Sequence, residues 1–303
     1  MKVFIAGGTG FIGRRLAERL RAEGHLLTLL SRARRTPQED GAVRFVAGDG
    51  VVPGPWQDAL RGAEAVINLA GATIFSRWTE RYKTVLRESR IRTTANIAAA
   101  LAKDVTPGRV LLNASAVGYY GFHGDEELDE TAGPGGDFLA SLCRDWESAA
   151  DGASSAGVRV VKLRSGIVLG EKGGALGTMT PLFKAGLGGR LGSGRQWFSW
   201  VHREDLISAM IFALARTDIS GPVNVSAPNP VRNRDLARGL GLVLRRPSFI
   251  PAPGFAVRIA FGEFADFILK GQRVVPRVLL ERGFGFATPS LPEALAAIFE
   301  RET

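Results

Sequence analysis

Several clusters of residues in this chain have types and spacing suited to chemistry. The first is Gly7-Gly8-Thr9-Gly10-Phe11-Ile12-Gly13. Glycine at the first, fourth and seventh places suits the capture of a pyrophosphate. Gly7 permits a tight turn, Gly10 lets the anion approach the backbone, and Gly13 lets a following helix pack closely. Thr9, Phe11 and Ile12 belong to the same cradle. The second cluster is Ser31-Arg32-Ala33-Arg34-Arg35. A dinucleotide site usually holds the ribose 2′-hydroxyl with an acidic side chain here, yet the next acids are Glu39 and Asp40. Guanidinium forks match phosphate oxygens in pairs, so Ser31, Arg32 and Arg35 predict a 2′-phosphate and favour NADP(H) over NAD(H).

Candidates for the reaction lie further along. Ser115 can hydrogen-bond a substrate oxygen, and Tyr119 or Tyr120 can supply a proton; aromatic packing under the cofactor is the competing reading of the two rings. Arg195, Gln196 and Trp197 follow glycines, a setting in which an arginine can grip an anion and a ring can be stacked. His202 is read as an orienting or structural residue on the substrate side.

The elements that must position these residues alternate in type. Lys2–Ala6 is a short apolar run fit for a buried strand, and helical spacing resumes at Arg14. Leu26–Leu30, Val43–Ala47, Ala65–Leu69, Arg109–Asn113 and Val158–Leu163 read as further strands. Thr79–Ala102 and Asp137–Ala156 read as helices between them. This rhythm predicts an α/β, Rossmann-type, doubly wound parallel sheet. Ligands bind such sheets beyond the carboxyl ends of the strands. The crevice is therefore expected to gather residues 7–13, Ser31–Arg35, Asp49 beside an adenine or simply in a turn, Leu69-Ala70-Gly71, and residues 115–120. After residue 170 the rhythm changes to glycine loops, an aromatic segment and a mainly helical tail. We expect residues 1–170 to bind the dinucleotide, with 201–226 returning to them. Residues 171–200 and 227–303 are expected to form a smaller, mainly helical lobe over the substrate.

Composition narrows the class. The chain has 303 residues, 45% hydrophobic and 23% charged, as expected of a globular protein. Its one cysteine excludes an internal disulfide and argues against a cysteine-based metal site. No apolar run is long enough to span a bilayer, and a strand beginning at Lys2 leaves no room for a leader peptide. A cytoplasmic location is expected. The formal charge of +9 raises nucleic acid as a partner. The basic runs are short and lack interleaved aromatics, so an arginine-rich surface favouring small anions is expected instead, with no nucleic acid and no membrane partner.

Together with Asn68-Leu69-Ala70-Gly71, Ser115 and Val201-His202-Arg203-Glu204-Asp205-Leu206, the glycine turn resembles the extended short-chain dehydrogenase/reductase superfamily. Within it, Ser115–Gly121, Phe138-Leu139, Cys143–Glu147 and Gly192–Trp197 resemble an atypical NAD(P)-dependent epimerase/dehydratase-like subgroup. Gln272–Pro276 resembles that subgroup's C-terminal domain of unknown function. The resemblance implies a Tyr-x-x-x-Lys pair on the helix after the serine strand, where lysine lowers the tyrosine pKa for proton exchange. Registered on Glu147, those two places hold Leu139 and Cys143. Neither can do that work. Two functions remain open: an NADP(H)-dependent oxidoreductase or epimerase-like enzyme with another proton donor and a small-molecule substrate, anionic or like a sugar nucleotide; or a catalytically silent NADP(H)-binding regulatory or structural protein.

Overall fold

In the computed structural model, residues 1–33, 41–104, 106–171 and 173–299 are described. Seven strands form one sheet: β1 (Lys2–Ala6), β2 (Leu26–Ser31), β3 (Val43–Ala47), β4 (Ala65–Asn68), β5 (Val110–Ala116), β6 (Arg159–Ser165) and β7 (Gly221–Val225). Their spatial order is β7-β6-β5-β4-β1-β2-β3. Every neighbouring pair is parallel. The order of connection reverses between β1 and β4, which opens a crevice beyond their carboxyl ends.

Both faces of the sheet are covered by helices, as a parallel sheet requires. On one side α1 (Phe11–Ala22) buries Leu16, Ala17 and Leu20 in a cluster with Val3, Ile5 and Leu29. Ile207 and Met210 join that cluster from α5 (Arg203–Ala215). On the other side α2 (Glu80–Leu101) and α3 (Phe138–Asp151) supply Ile97, Leu101 and Ala150 against Phe4, Val66 and Leu111. Thr79 caps α2 by accepting from the Tyr82 N–H, and Asp137 caps α3 by accepting from the N–H groups of Leu139 and Ala140. These caps satisfy donors that a helix start otherwise leaves open. The start of α1 has no side-chain cap and no acid in its first turn. Apart from the Gly10 N–H, which donates to the Gly7 carbonyl at 3.1 Å, no loop or cap group among the described residues is placed on its first donors.

A smaller, mainly helical region completes the molecule. The helix α4 (Gly174–Lys184) and α6 (Asn233–Val243) pack with Leu291, Leu295 and Ile298 in a separate apolar cluster. Helices Gly254–Phe261 and Phe264–Leu269 follow, and Phe264 packs with Trp78, Leu86, Leu139 and Leu142. The aromatic segment forms two short strands, Trp197–Phe198 and Trp200–His202. Strand β5 runs on from Asn113 to Ala116, because the Ala114-Ser115-Ala116 backbone pairs with Leu163–Ser165 of β6.

Candidate functional site

The glycine turn and the loop after β4 meet at the switch point. Gly7 has φ +79°, and a Cβ there would lie 2.7 Å from the Leu69 carbonyl and 2.8 Å from the Ala70 nitrogen. Gly13 packs more tightly, since a Cβ would lie 2.2 Å from the Gly7 oxygen. Gly10 differs from both. It is exposed and extended, and a Cβ would approach only the Gly7 oxygen, at 3.3 Å. Thr9 is exposed beside it. Ile12 packs on the sheet core, and the Phe11 ring lies against Gly170, Gly173 and Gly174 with the Arg203 guanidinium 5.1 Å from its centre. Their side chains hold the turn from behind. The open helix start remains as an anion cradle.

Ser31 is buried at the end of β2, and Arg32 follows it exposed. Arg35, like Glu39 and Asp40, lies outside the described residues. Asp49 is exposed and its carboxylate accepts from the Val51 N–H at 3.0 Å, so it stabilises its own turn. Leu69 and Ala70 are half-buried and Gly71 exposed. Asn68 fixes this loop from below. Its amide donates to Thr94 and Asn113, and its oxygen accepts from the Ala70 N–H. Arg90, which sequence reasoning missed, borders the same loop. A Cβ on Gly71 would lie 3.0 Å from its guanidinium carbon. That guanidinium donates to the carbonyls of Leu86 and Ala72 and sits 5.2 Å from the Trp146 ring centre. Burial pushes its pKa below the ordinary arginine value.

A buried polar network replaces the expected tyrosine–lysine pair. Ser115 donates to Glu147 Oε1 at 2.7 Å. Arg164 grips the same carboxylate with two bonds, at 2.8 and 2.9 Å, and donates a third to the Tyr120 hydroxyl at 3.0 Å. Tyr120 in turn donates to Asn224 at 2.7 Å. All five residues are buried. The Ser115 proton is thus spent on Glu147 rather than turned toward a substrate. Tyr120 is fully enclosed, which favours the packing reading of its ring over that of a proton donor. Burial pushes its pKa up to about 12. Tyr119 is half-buried, and its ring stacks on Arg164 with the guanidinium carbon 3.4 Å from the ring centre. Cys143 is buried, and desolvation pushes its thiol up to about 12, which leaves it unreactive packing.

The Tyr120 value carries a pH dependence. In the unfolded chain the phenol releases its proton near 10, whereas the folded state holds it until about 12. The native state therefore binds more protons in this window, and stability falls as pH rises through it. We expect Tyr120→Phe to flatten that alkaline loss, read by denaturant melts at a series of pH values.

The substrate-side candidates separate. Gln196 and Trp197 line a cavity of about 220 Å³. Val117, Ile167 and Phe75, from segments that follow β5, β6 and β4, form its wall toward the sheet. Arg195 is exposed and lines a neighbouring open cleft with His123, Asp125 and Arg232. The Trp197 ring is covered by Arg232 at 3.9 Å and Arg273 at 5.0 Å, and its indole donates to Asp125. The protein's own guanidinium groups thus occupy the stacking positions expected for a ligand. His202 is buried at the start of α5, pairs through its backbone with Leu169, and is not among the residues lining either space. Among the described residues, no group of three or more His, Cys, Asp or Glu side chains is placed to hold a metal ion. No helix among them is long and apolar enough to cross a membrane.

Residues 3–226 match the model of the NAD dependent epimerase/dehydratase family. The chain belongs to that family. Residues 252–298 match a domain of unknown function, DUF1731. The "Epimerase family protein SDR39U1 homolog, chloroplastic" of Arabidopsis thaliana is 41% identical, covering 99% of this chain and 87% of that one. The crystal structure of human epimerase family protein SDR39U1 (isoform 2) with NADPH is similar at a TM-score of 0.87 and 35% identity, over 99% of both chains. A nucleoside-diphosphate sugar epimerase from Corynebacterium glutamicum is similar at 0.79 and 34%, covering 99% of this chain and 58% of that one. Leu139 and Cys143, at the two places where the resemblance implies tyrosine and lysine, carry no proton-transfer chemistry.

Proposed function

We propose that this chain is an NADP(H)-dependent oxidoreductase or epimerase-like enzyme that acts on a small molecule without a Tyr-x-x-x-Lys pair. The observation that carries the reading is a pair of features linked through Phe11, which lies against Gly174, the neighbour of the cavity-lining Ala175. One is the uncapped start of α1 beside an open Gly10; the other is a cavity walled by Val117, Ile167 and Phe75. A protein that merely held a dinucleotide has no use for the second. Residues 1–170 with 201–226 would serve the cofactor, and residues 171–200 with 227–303 would cover the substrate. The single cysteine supports a cytoplasmic location.

The backbone N–H groups at Phe11 and Ile12 would hold the pyrophosphate, with the Gly10 N–H closing the turn onto the Gly7 carbonyl, and Ser31, Arg32 and Arg35 would hold the 2′-phosphate. The NADPH in the human relative supports that choice. Bound there, NADP(H) supplies or takes up a hydride. What the chain must add is orientation, exclusion of water and a proton for the substrate oxygen. Ser115 and Tyr120 are held by Glu147, Arg164 and Asn224, so we assign the proton to Tyr119, which does not itself line the cavity but packs in one cluster with Val117, which does. Arg164 orients its ring.

Two results check this reading. Replacing Arg32 by alanine should weaken NADPH by about tenfold or more, because charge-assisted bonds to a phosphate are lost. NADH affinity should barely change, as read by paired titrations. In a screen of small carbonyl compounds with NADPH, Tyr119→Phe should slow turnover about 10²–10⁴-fold. Tyr120→Phe should leave the rate nearly intact. The silent reading is favoured by one observation, the commitment of Ser115 to Glu147. Tight NADPH binding with no turnover across the screen would select it.

A further inference from the structure

The cavity beside the crevice is apolar where a sugar nucleotide would need charge. Of the described residues lining it, Lys270 is the one cation, and it is already paired with Asp266 at 3.2 Å. A diphosphate placed there would be buried without a counter-charge, at high cost. Phe183, Val257, Phe264, Phe267 and Ile268 instead form a hydrocarbon wall. The mouth has the same character. Leu182, Leu187 and Ile250 line the cavity while 53%, 62% and 42% exposed. Size sets a further limit. A cavity of about 150 Å³ lined by such groups takes benzene, so about 220 Å³ suits a molecule of two fused rings or a compact branched chain.

Thr178, Ser199, Asn233 and Gln272 also reach the lining, but Gln196 alone among these polar side chains has a buried atom with no partner. Gln196 Nε2 donates to the carbonyls of Leu191 at 3.0 Å and Ile268 at 3.2 Å. Backbone carbonyls only accept, so the orientation of the amide is fixed. Its Oε1 is then left buried with no hydrogen-bond partner. Folded proteins rarely leave a buried acceptor unmet, because its desolvation is not repaid. An O–H or N–H on a bound molecule that draws this oxygen to the cavity surface would repay it.

We infer that this cavity binds a compact apolar molecule of about ten to twelve non-hydrogen atoms carrying one hydroxyl or N–H donor for Gln196 Oε1. Such a molecule is the substrate class of the site. The word substrate rests on the enzymatic reading above; the binding does not.

The test is calorimetric titration of the NADPH-saturated protein with 1-naphthol and with 1-methoxynaphthalene, which has the same rings and no donor. We expect 1-naphthol to bind about tenfold more tightly, the worth of one hydrogen bond to a buried acceptor. Gln196→Met should erase the difference, and Met179→Trp, which fills the cavity, should abolish binding of both. If Gln196→Met fails to fold, the comparison of the two compounds on the unmodified protein still decides. Absence of binding by either compound, equal affinity for both, or displacement of 1-naphthol by UDP-glucose would overturn the inference. NADPH is titrated separately. Its failure to bind would refute the cofactor reading while leaving the naphthol titration, repeated without it, as a valid test of the cavity.

Discussion

A Gly10→Val protein is expected to fold normally and to bind NADPH at least about 100-fold more weakly, a loss of about 3 kcal/mol. The size follows from displacing a phosphate from two or so N–H groups, since hydrogen bonds to charged partners are worth about 1.5–3 kcal/mol each. The fold should survive because a Cβ at this exposed place meets only the Gly7 oxygen, at 3.3 Å. Gly13→Val provides the contrast. There the new atom would lie 2.2 Å from the Gly7 oxygen and 2.7 Å from Gly8 Cα, both backbone atoms that cannot swing aside. The start of α1 must then lift off β1. Thermal melts should separate the two variants, with an unchanged midpoint for Gly10→Val and a lowered one for Gly13→Val. A folded Gly10→Val protein with full NADPH affinity would mean that the pyrophosphate lies elsewhere.

The second large effect belongs to the Glu147–Arg164 pair. Glu147→Leu should cost about 3–5 kcal/mol, because it strands a guanidinium in the core. Ser115 loses its acceptor at the same stroke, while Arg164 keeps the Tyr120 hydroxyl and its stacking on the Tyr119 ring but no counter-charge. Replacing both partners, Glu147→Leu with Arg164→Met, should recover much of that loss, since apolar groups of similar volume often replace a buried ion pair at little cost. Denaturant titration of the two single variants and the double one reads the coupling. Simple addition of the two single losses would show that the pair is not one unit.

The glycine turn was legible in the sequence because strand, turn and helix are adjacent in the chain and each has its own local chemistry. The alternation of apolar runs and helical stretches likewise revealed a parallel, doubly wound sheet. The strand order could not be read, since pairing is set by contacts far apart in sequence. Strand β5 was read short because Ala-Ser-Ala has little strand preference, and its extension depends on pairing with Leu163–Ser165. The network under the crevice joins Ser115, Glu147 and Arg164 from three separate elements. Its signal was present: a carboxylate on the apolar face of α3 and an arginine inside β6, opposite charges on two segments that both had to be buried. Arg90 gave no such hint, because nothing in α2 separates it from the other arginines of that helix. Trp197 was read as a ring open to a ligand, since Arg232 and Arg273 reach it from far along the chain.

The central claim is that a dinucleotide at the glycine turn presents its reactive ring to the cavity beside Ser115 and Val117. The most direct measurement is a crystal structure of this protein grown with NADPH. Expected are the pyrophosphate on the N–H groups at the start of α1, the 2′-phosphate beside Ser31 and Arg32, and the nicotinamide with one face open to the cavity that Gln196 lines. A nicotinamide sealed behind side chains, or left in solvent away from Ser115 and Tyr119, would contradict that claim.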